Sequence, residues 1–191
     1  MTDVNGDGIN NESASQGING LNVELYSVGL DNTQGTSDDQ LLQTTTTANN
    51  TNGNPGYYAF KICSNGSYYI KFPTAANSNS QLTTQTTTAA TDNNSDAGIA
   101  DGLSPVFAID PSGSGVAKNN STIDAGYISL LSLGNLVWQD ADRDGTKDIT
   151  ESGLDGATVY LYQDADNNGT PDGNALSTTT TSNGACMYLM G

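Results

Sequence analysis

The chain has 191 residues, with 21 acidic and 5 basic side chains, a net charge of −16 and no histidine. Such a charge repels phosphate, so we expect no nucleic-acid partner, and the lack of histidine excludes His-ligated metals and His-based acid–base catalysis. No apolar run approaches the roughly 18 residues that span a bilayer, so no membrane insertion is expected. Abundant glycine (22 residues), asparagine and threonine favour short strands joined by turns.

The first element in chain order is a loop of acidic and amide side chains, the first acidic loop. Its calcium-ligand positions 1, 3, 5, 7 and 9 are Asp3, Asn5, Asp7, the Ile9 carbonyl and Asn11, with Gly8 at position 6. Position 12 is Ala14, and Glu12 is an alternative source of the missing acid. Ca²⁺ takes six to eight oxygens at about 2.4 Å, and alternating side chains on a tight turn converge on one point. The loop therefore predicts a calcium site, with a plain polar turn as the alternative.

The strands that follow are indicated by alternating apolar residues. The period of two predicts strands over Leu21–Tyr26, Tyr57–Ile62 and Tyr68–Phe72. Segments 74–104 and 110–121 are polar and lack this alternation, so both are predicted to be loops. No segment has a helical stripe, and the prediction is an all-β chain built from β-sandwiches of about seven short strands each.

Two further groups of acidic residues lie in the predicted loops of this part. They are Asp31, Asp38 and Asp39, and then Asp92, Asp96 and Asp101. Aspartate in loops is usually only solvated, so we treat both groups as weak indications of a metal site.

The stretch LSLGNLVWQ opens the second part of the chain and predicts a strand, with Leu136 and Trp138 facing inward. The second acidic loop follows it. Positions 1, 3, 5, 9 and 12 are Asp140, Asp142, Asp144, Asp148 and Glu151, with Gly145 at position 6 and the Thr146 carbonyl at position 7. Every position matches the EF-hand calcium loop, without its flanking helices.

A strand over Ala157–Leu161 leads into the third acidic loop. Its predicted ligands are Asp164, Asp166, Asn168, the Thr170 carbonyl and Asp172. Position 12 is Ala175, which is no ligand, and Asn168-Gly169 is also a strong hairpin signal. A calcium site and a simple hairpin loop both remain open here.

The acidic loops belong to an internal repeat. DVNGDGINNESASQGINGLNVELY matches DADRDGTKDITESGLDGATVYLY, Thr44–Thr47 match Thr178–Thr181, and residues 55–57 match residues 183–185. We therefore predict a first repeat over residues 1–128 that lacks its first strand, and the N-terminal half of a second repeat over residues 129–191.

These motifs resemble the B-type repeats of serine-aspartate repeat surface adhesins, which have the prealbumin-like fold of collagen-adhesin B domains. The resemblance rests on LGNLVWQDADRDGTKDITESGLDGATVYLY, GTSDD before TTTT, NGSYYIKF and STIDAGY. It implies tandem immunoglobulin-like or prealbumin-like sandwiches, stiffened by Ca²⁺, which hold a ligand-binding head away from the cell surface. It implies an extracellular, secreted or surface-attached protein whose partners are neighbouring repeats.

The same resemblance raises the question of covalent crosslinks. Some relatives of this fold carry a Lys–Asn isopeptide bond, but LSLGNLVWQ has no lysine, so we expect none. Lys61 and Lys71 are expected to face solvent. Cys63 and Cys186 belong to different repeats. Two buried or partly buried thiols, or a disulfide between repeats or chains, are the alternatives.

Three functions compete at this point. The first is the calcium-stabilised spacer, and the second is a filament in which LSLGNLVWQ of one chain fills an open sheet edge beside Leu21–Tyr26 or Tyr68–Phe72 of another. The third is an accessory module of a secreted carbohydrate-active enzyme. We expect no catalysis in this chain, because its carboxylates are spaced for metal and show no nucleophile–base pair.

Overall fold

The computed structural model describes residues 1–86, 93–115, 118–182 and the backbone of 189–190. The chain divides into two compact units, a first unit over Met1–Ser129 and a second unit over Leu130–Gly191. The division falls beside the predicted repeat boundary. That the two units are successive repeats of one array stays a prediction.

The fold is all-β, as predicted. The strands of the first unit are β1 (Asn22–Ser27), β2 (Gln40–Thr46), β3 (Gly66–Lys71), β4 (Ser80–Leu82), β5 (Phe107–Ile109) and β6 (Tyr127–Ser129). Those of the second unit are β7 (Ser132–Leu133), β8 (Thr158–Leu161), β9 (Ser177–Thr180) and β10 (Leu189–Met190). The described part of the chain has a single short 3₁₀ helix, Ala14–Gln16, and none of it forms an apolar helix of membrane-spanning length.

The first unit contains two antiparallel sheets around one core. The larger sheet has the order β2-β1-β3-β5, and the smaller one pairs β4 with β6. Alternate residues of β1 and β4 point inward, and the fully buried core side chains include Val23, Leu25, Leu82 and Tyr127. Both sheets contribute to this core, which is the arrangement of a β-sandwich.

Alternation located the two central strands to within one or two residues. Leu21–Tyr26 corresponds to β1, and Tyr68–Phe72 corresponds to β3. The prediction of a loop over 74–104 is wrong in part, because β4 lies within it. The prediction of a strand over Tyr57–Ile62 is also wrong: Tyr57 forms an isolated bridge with Ala48, and residues 58–62 belong to no strand, although their inward and outward faces still alternate.

The edges that were predicted to accept a donated strand are not open. β1 lies between β2 and β3, and β3 lies between β1 and β5, so each is paired on both sides by its own chain. Strand donation at either edge is therefore wrong as predicted. The residues at the start of the unit also pair within the chain, because Thr2 forms a parallel bridge with Tyr127.

The second unit contains two pairs of strands and one isolated bridge among its described residues. β8 pairs with β9, β7 pairs with β10, and Trp138 forms an antiparallel bridge with Gly153. Leu136 and Trp138 are half-buried. Among the described side chains of this unit, Thr181 alone is buried, so the described part of the unit has little apolar core.

Two minor predictions can be compared directly with side-chain exposure. Lys61 and Lys71 are exposed, as expected. Cys63 is an exposed free thiol, so the expectation that it is buried or partly buried is wrong. Cys186 lies outside the described residues.

Replacing Tyr127 by phenylalanine is expected to destabilise the first unit by about 1–2 kcal/mol. The Tyr127 ring is buried, and its hydroxyl donates a hydrogen bond of 2.7 Å to the Pro73 carbonyl. The variant removes the donor and leaves that acceptor without its partner. Urea unfolding followed by circular dichroism measures the change, with the exposed Tyr57→Phe as the control that should leave the midpoint unchanged. Equal midpoints for all three proteins would contradict the prediction.

Candidate metal centres

The first acidic loop is built around the buried carboxylate of Asp3. The Asp3 side chain is 1% exposed. Its two oxygens accept hydrogen bonds from the Gly6 amide at 2.7 Å, the Gly8 amide at 2.9 Å and the Thr83 hydroxyl at 2.6 Å. Gly6 and Gly8 both have φ near +75°, which lets the loop backbone fold over the carboxylate. Asp3 thus ties the loop to the core of the first unit.

The other predicted ligands of this loop surround Asp7. The Ile9 amide donates to Asp7 Oδ1 at 2.8 Å, and the side-chain amides of Asn5 and Asn11 both donate to Asp7 Oδ2 at 2.9 Å. The structure therefore brings Asn5, Asp7 and Asn11 together on the exposed side of the loop. The role of the Ile9 carbonyl as a ligand stays a prediction.

The second acidic loop repeats this design on an exposed surface. Asp140 accepts from the amides of Arg143 at 2.6 Å and Gly145 at 3.0 Å. Asp144 accepts from the Thr146 amide at 2.7 Å. Asp142 accepts a longer bond of 3.3 Å from the Asp144 amide. The backbone thus sets the positions of the carboxylates at positions 1, 3 and 5.

The third acidic loop follows the same scheme. Asp164 accepts from the amides of Asn168 at 3.0 Å and Gly169 at 2.9 Å. Asn168 takes the place that Asp144 holds in the second loop, because its side-chain oxygen accepts from the Thr170 amide at 2.7 Å. The side-chain amide of Asn168 donates to Asp166 Oδ2 at 2.8 Å, which brings these two side chains together.

A closing acid completes each loop. Sequence spacing predicted Glu151 at position 12 and Asp172 at position 9 as ligands, and offered Glu12 as the alternative to Ala14. In every loop, a carboxylate from the far end accepts a hydrogen bond from the amide at position 2. The pairs are Glu12 with Val4 at 2.9 Å, Glu151 with Ala141 at 2.6 Å and Asp172 with Ala165 at 2.8 Å. Glu12 therefore stands in the first loop where Glu151 stands in the second, which favours the alternative to Ala14. A fixed twelve-residue pattern places Ala14 at that position because the first loop is shorter.

In the second and in the third acidic loop, three carboxylates lie close enough together to bind one cation in each loop. Asp140, Asp142 and Asp144 offer oxygens that lie within 4.8 Å of one another, and so do Asp164, Asp166 and Asp172. The structure does not bring Asp148 or Glu151 into the first group, although Glu151 Oε2 accepts from the Asp148 amide at 3.1 Å. The Thr146 and Thr170 carbonyls stay predicted ligands.

Hydrogen bonds favour the ionised form of the first aspartate in the first and third acidic loops. Burial would raise the pKa of Asp3, but the hydrogen bonds from Thr83, Gly8 and Gly6 outweigh it and hold that pKa below its ordinary value. The Gly169 amide likewise lowers the pKa of Asp164. Asp3 and Asp164 are therefore ionised near neutral pH. Carboxylate oxygens are hard ligands that suit Ca²⁺ better than a transition metal.

Members of the two weaker groups of acidic residues accept hydrogen bonds within the first unit. Asp39 accepts from the Gly35 amide at 2.7 Å and the Tyr69 hydroxyl at 2.9 Å, and Asp38 accepts from the Leu30 amide at 2.7 Å. The bonds from Gly35 and Leu30 connect parts of the loop between β1 and β2, and the bond from Tyr69 connects this loop to β3. Asp96 is buried and accepts from the Asp124 amide at 2.9 Å. Asp101 accepts from the Leu103 amide, and Asp92 lies outside the described residues.

A family model described as the SdrD B-like domain matches residues 1–127 and again residues 131–189. The chain is 33% identical over 188 residues to serine-aspartate repeat-containing protein F of Staphylococcus epidermidis, covering 94% of this chain and 9% of that protein. It is 34% identical over 166 residues to protein C of the same series from Staphylococcus aureus, covering 85% of this chain and 14% of the relative. Protein D from Staphylococcus aureus is 30% identical over 181 residues, covering 94% and 11%. The chain thus spans a small part of these relatives, and no solved structure matches it.

Proposed function

Because the chain belongs to the SdrD B-like domain family, we propose that it is a calcium-stabilised structural repeat that acts as a stiff spacer in an extracellular surface protein. The observation that carries this proposal is the shared construction of the three acidic loops. In each, the first Asp binds the amide of the loop glycine, and a closing acid binds the amide at position 2. Three loops of different length with one bonding scheme indicate one common purpose.

Charge gives the physical reason for a bound cation. The second and third acidic loops hold three carboxylates each within a few ångströms, in a chain that already carries a net charge of −16. Like charges at that distance repel, and a divalent cation converts the repulsion into attraction. A loop held by a cation loses its freedom to open, so the strands that flank it are fixed as well.

Neighbouring repeats of a longer polypeptide are the proposed partners, and an extracellular or surface-attached location is the proposed setting. The two family matches in this one chain support the first, and the relatives named serine-aspartate repeat-containing support the second. The relatives are named as serine-aspartate repeat-containing proteins, which favours the spacer over an accessory module of a secreted enzyme.

Calorimetric titration of the decalcified chain tests the calcium proposal. We expect saturable heat on adding Ca²⁺, a stoichiometry between two and three, and much weaker heat with Mg²⁺, which dehydrates reluctantly and demands octahedral geometry. Elemental analysis of the untreated protein gives an independent count. No heat with Ca²⁺, together with no calcium in the untreated protein, would overturn the proposal.

Asp144→Ala is expected to weaken calcium binding more than Asp172→Ala. The second acidic loop has five charged candidate ligands against three in the third, so its site contributes more of the total affinity. The measurement is the calcium titration repeated on both variants. Asp155→Ala is the matched control, because Asp155 is exposed, lies in the same unit and belongs to neither loop. A larger loss for Asp172→Ala would reverse the predicted ranking.

A further inference from the structure

The third acidic loop contains one of several Asn-Gly pairs in the chain. In such a pair the glycine amide nitrogen can attack the asparagine side-chain carbonyl, because glycine has no side chain in the way. The attack expels ammonia and closes a five-membered succinimide ring. The surroundings of each pair therefore decide where this reaction is fast. The pairs begin at Asn5, Asn19, Asn52, Asn65, Asn168 and Asn183, of which Asn183 lies outside the described residues.

The side-chain amide of Asn168 is held at both ends. Its oxygen Oδ1 accepts hydrogen bonds from the Thr170 amide at 2.7 Å and from the Thr170 hydroxyl. Its nitrogen Nδ2 donates to Asp166 Oδ2 at 2.8 Å. Two donors on a carbonyl oxygen stabilise the negative charge that develops there when the carbonyl carbon is attacked. The loop therefore polarises the Asn168 carbonyl for this reaction.

The nucleophile, the Gly169 amide, lies beside a proton acceptor. It donates to Asp164 Oδ2 at 2.9 Å, a distance at which a carboxylate can act as a general base. Asn168 and Gly169 are both exposed, so water reaches the site. Nucleophile, base and polarised carbonyl thus meet within one turn of the chain, which lowers the entropic cost of the reaction.

Three other described pairs have different surroundings. In the pairs that begin at Asn19 and Asn52, the glycine amide donates to a backbone carbonyl. These acceptors are the carbonyls of Thr47 at 2.8 Å and Asn50 at 3.0 Å. A backbone carbonyl takes up no proton near neutral pH. Gly66, which follows Asn65, is part of strand β3. None of the three places a carboxylate on the glycine amide.

The pair that begins at Asn5 is the most similar one. The Gly6 amide donates to Asp3 Oδ1 at 2.7 Å, so a carboxylate is present. Asn5 Oδ1 accepts from the Asp7 amide at 3.1 Å, and the residue at that place has no hydroxyl group to add a second donor. Among the described pairs, Asn168 thus combines a carboxylate on the glycine amide with two donors on the side-chain carbonyl.

We propose that Asn168 is a site of spontaneous deamidation, which gives the third acidic loop the three-aspartate pattern of the second. The Gly169 nitrogen loses its proton to Asp164 and bonds to the Asn168 carbonyl carbon. The bond from that carbon to Nδ2 breaks, and Nδ2 leaves as ammonia with the same proton. Water then opens the ring to aspartate or isoaspartate. One water is consumed, one ammonia is released and one negative charge is gained.

The aspartate product changes the third acidic loop as a cation site. It places an acid at position 5, where the second loop has Asp144, and a further charged ligand raises the affinity for Ca²⁺. Isoaspartate instead inserts one backbone atom before Gly169 and shifts the turn. This consequence rests on the proposed function, whereas the deamidation itself does not.

Peptide mapping of the full chain, aged in EDTA, tests the site, because mass spectrometry locates each gain of about 1 Da. In the folded chain, Asn168 should change about ten times faster than Asn19 and Asn52, since a donor on the developing oxyanion contributes at least that factor. In urea the three rates should become similar. Equal rates in the folded chain, or a slower change at Asn168 in the folded chain than in urea, would overturn the proposal.

Substitution of Thr170 tests the assigned geometry. Thr170→Val removes the hydroxyl and keeps the backbone amide, so it should slow the change at Asn168 about tenfold, and Thr170→Ser should restore the rate. Thr178→Val is the matched control, because Thr178 is exposed in the same unit and lies outside the loop. An unchanged rate in Thr170→Val contradicts the mechanism. Deamidation at Asn168 without calcium binding by the native chain or by Asn168→Asp supports this proposal and refutes only the calcium proposal.

Discussion

Removing calcium with excess EDTA should lower the melting temperature of the chain by about 5–10 °C. A ligand that binds only the folded state stabilises it by about 2.7 kcal/mol at a free concentration a hundred times its Kd. In a protein of this size, each kcal/mol corresponds to roughly 2–4 °C. The effect should be largest in the second unit, where the described core is small and two acidic loops cluster their carboxylates.

The single tryptophan makes this effect measurable in one unit at a time. Trp138 lies in the second unit, directly before the second acidic loop, so its fluorescence follows that unit, whereas circular dichroism follows both. The control is the melt of the untreated protein with added Mg²⁺ in place of Ca²⁺. Superimposable Trp138 melting curves with Ca²⁺ and with EDTA would show that calcium does not stabilise the second unit.

Asp3→Ala is expected to destabilise the first unit by about 3 kcal/mol, even without calcium. The substitution leaves the Gly8 amide and the Thr83 hydroxyl without their acceptor in a buried place, and lost hydrogen bonds to a charged group cost about 1.5–3 kcal/mol each, offset in part because no charge remains to be buried. Chemical unfolding in EDTA measures the loss. Asp7→Ala is the control: Asp7 is exposed, so its loss should cost less.

The pH dependence of the unfolding free energy gives a second test of the role of Asp3. Because the folded-state pKa of Asp3 is depressed, its contribution is present above the unfolded pKa of about 3.9 and is lost as the pH falls through the lower folded value. The difference in unfolding free energy between the native chain and Asp3→Asn should therefore be constant from pH 8 to about pH 5 and shrink below pH 4. A difference that grows on acidification would contradict the assigned direction.

Strands with apolar alternation over four or more residues were predictable from sequence, and the short or exposed strands were not. β3 has alternating apolar residues from Tyr68 to Phe72, so its period was plain. β4 is three residues long, and although Ser80 and Leu82 are buried around the exposed Gln81, so short a run gives no period. β2 is exposed along nearly all its length and has no inward face to detect.

The acidic loops show the same limit at the level of single residues. Positions 1, 5 and 6 could be read from spacing, because the Asp-x-(Asp/Asn)-x-(Asp/Asn)-Gly turn fixes them locally. The hydrogen bonds of Glu12 and Asp172 to the amide at position 2 could not, since the loops differ in length and folding alone brings these carboxylates there. The burial of Asp3 depends on Thr83, which is far away in the sequence.

The parallel pairing of Met1–Asp3 with Tyr127 determines how the first unit responds to mechanical load. The Asp3 amide donates to the Tyr127 carbonyl and the Tyr127 amide donates to the Met1 carbonyl, both at 2.8 Å. Because the two segments run in the same direction, a force that pulls the ends of the unit apart acts along these strands. Both bonds are then sheared together rather than opened one after the other as in a hairpin. Force spectroscopy on the unit should show one abrupt rupture at this junction rather than a gradual extension.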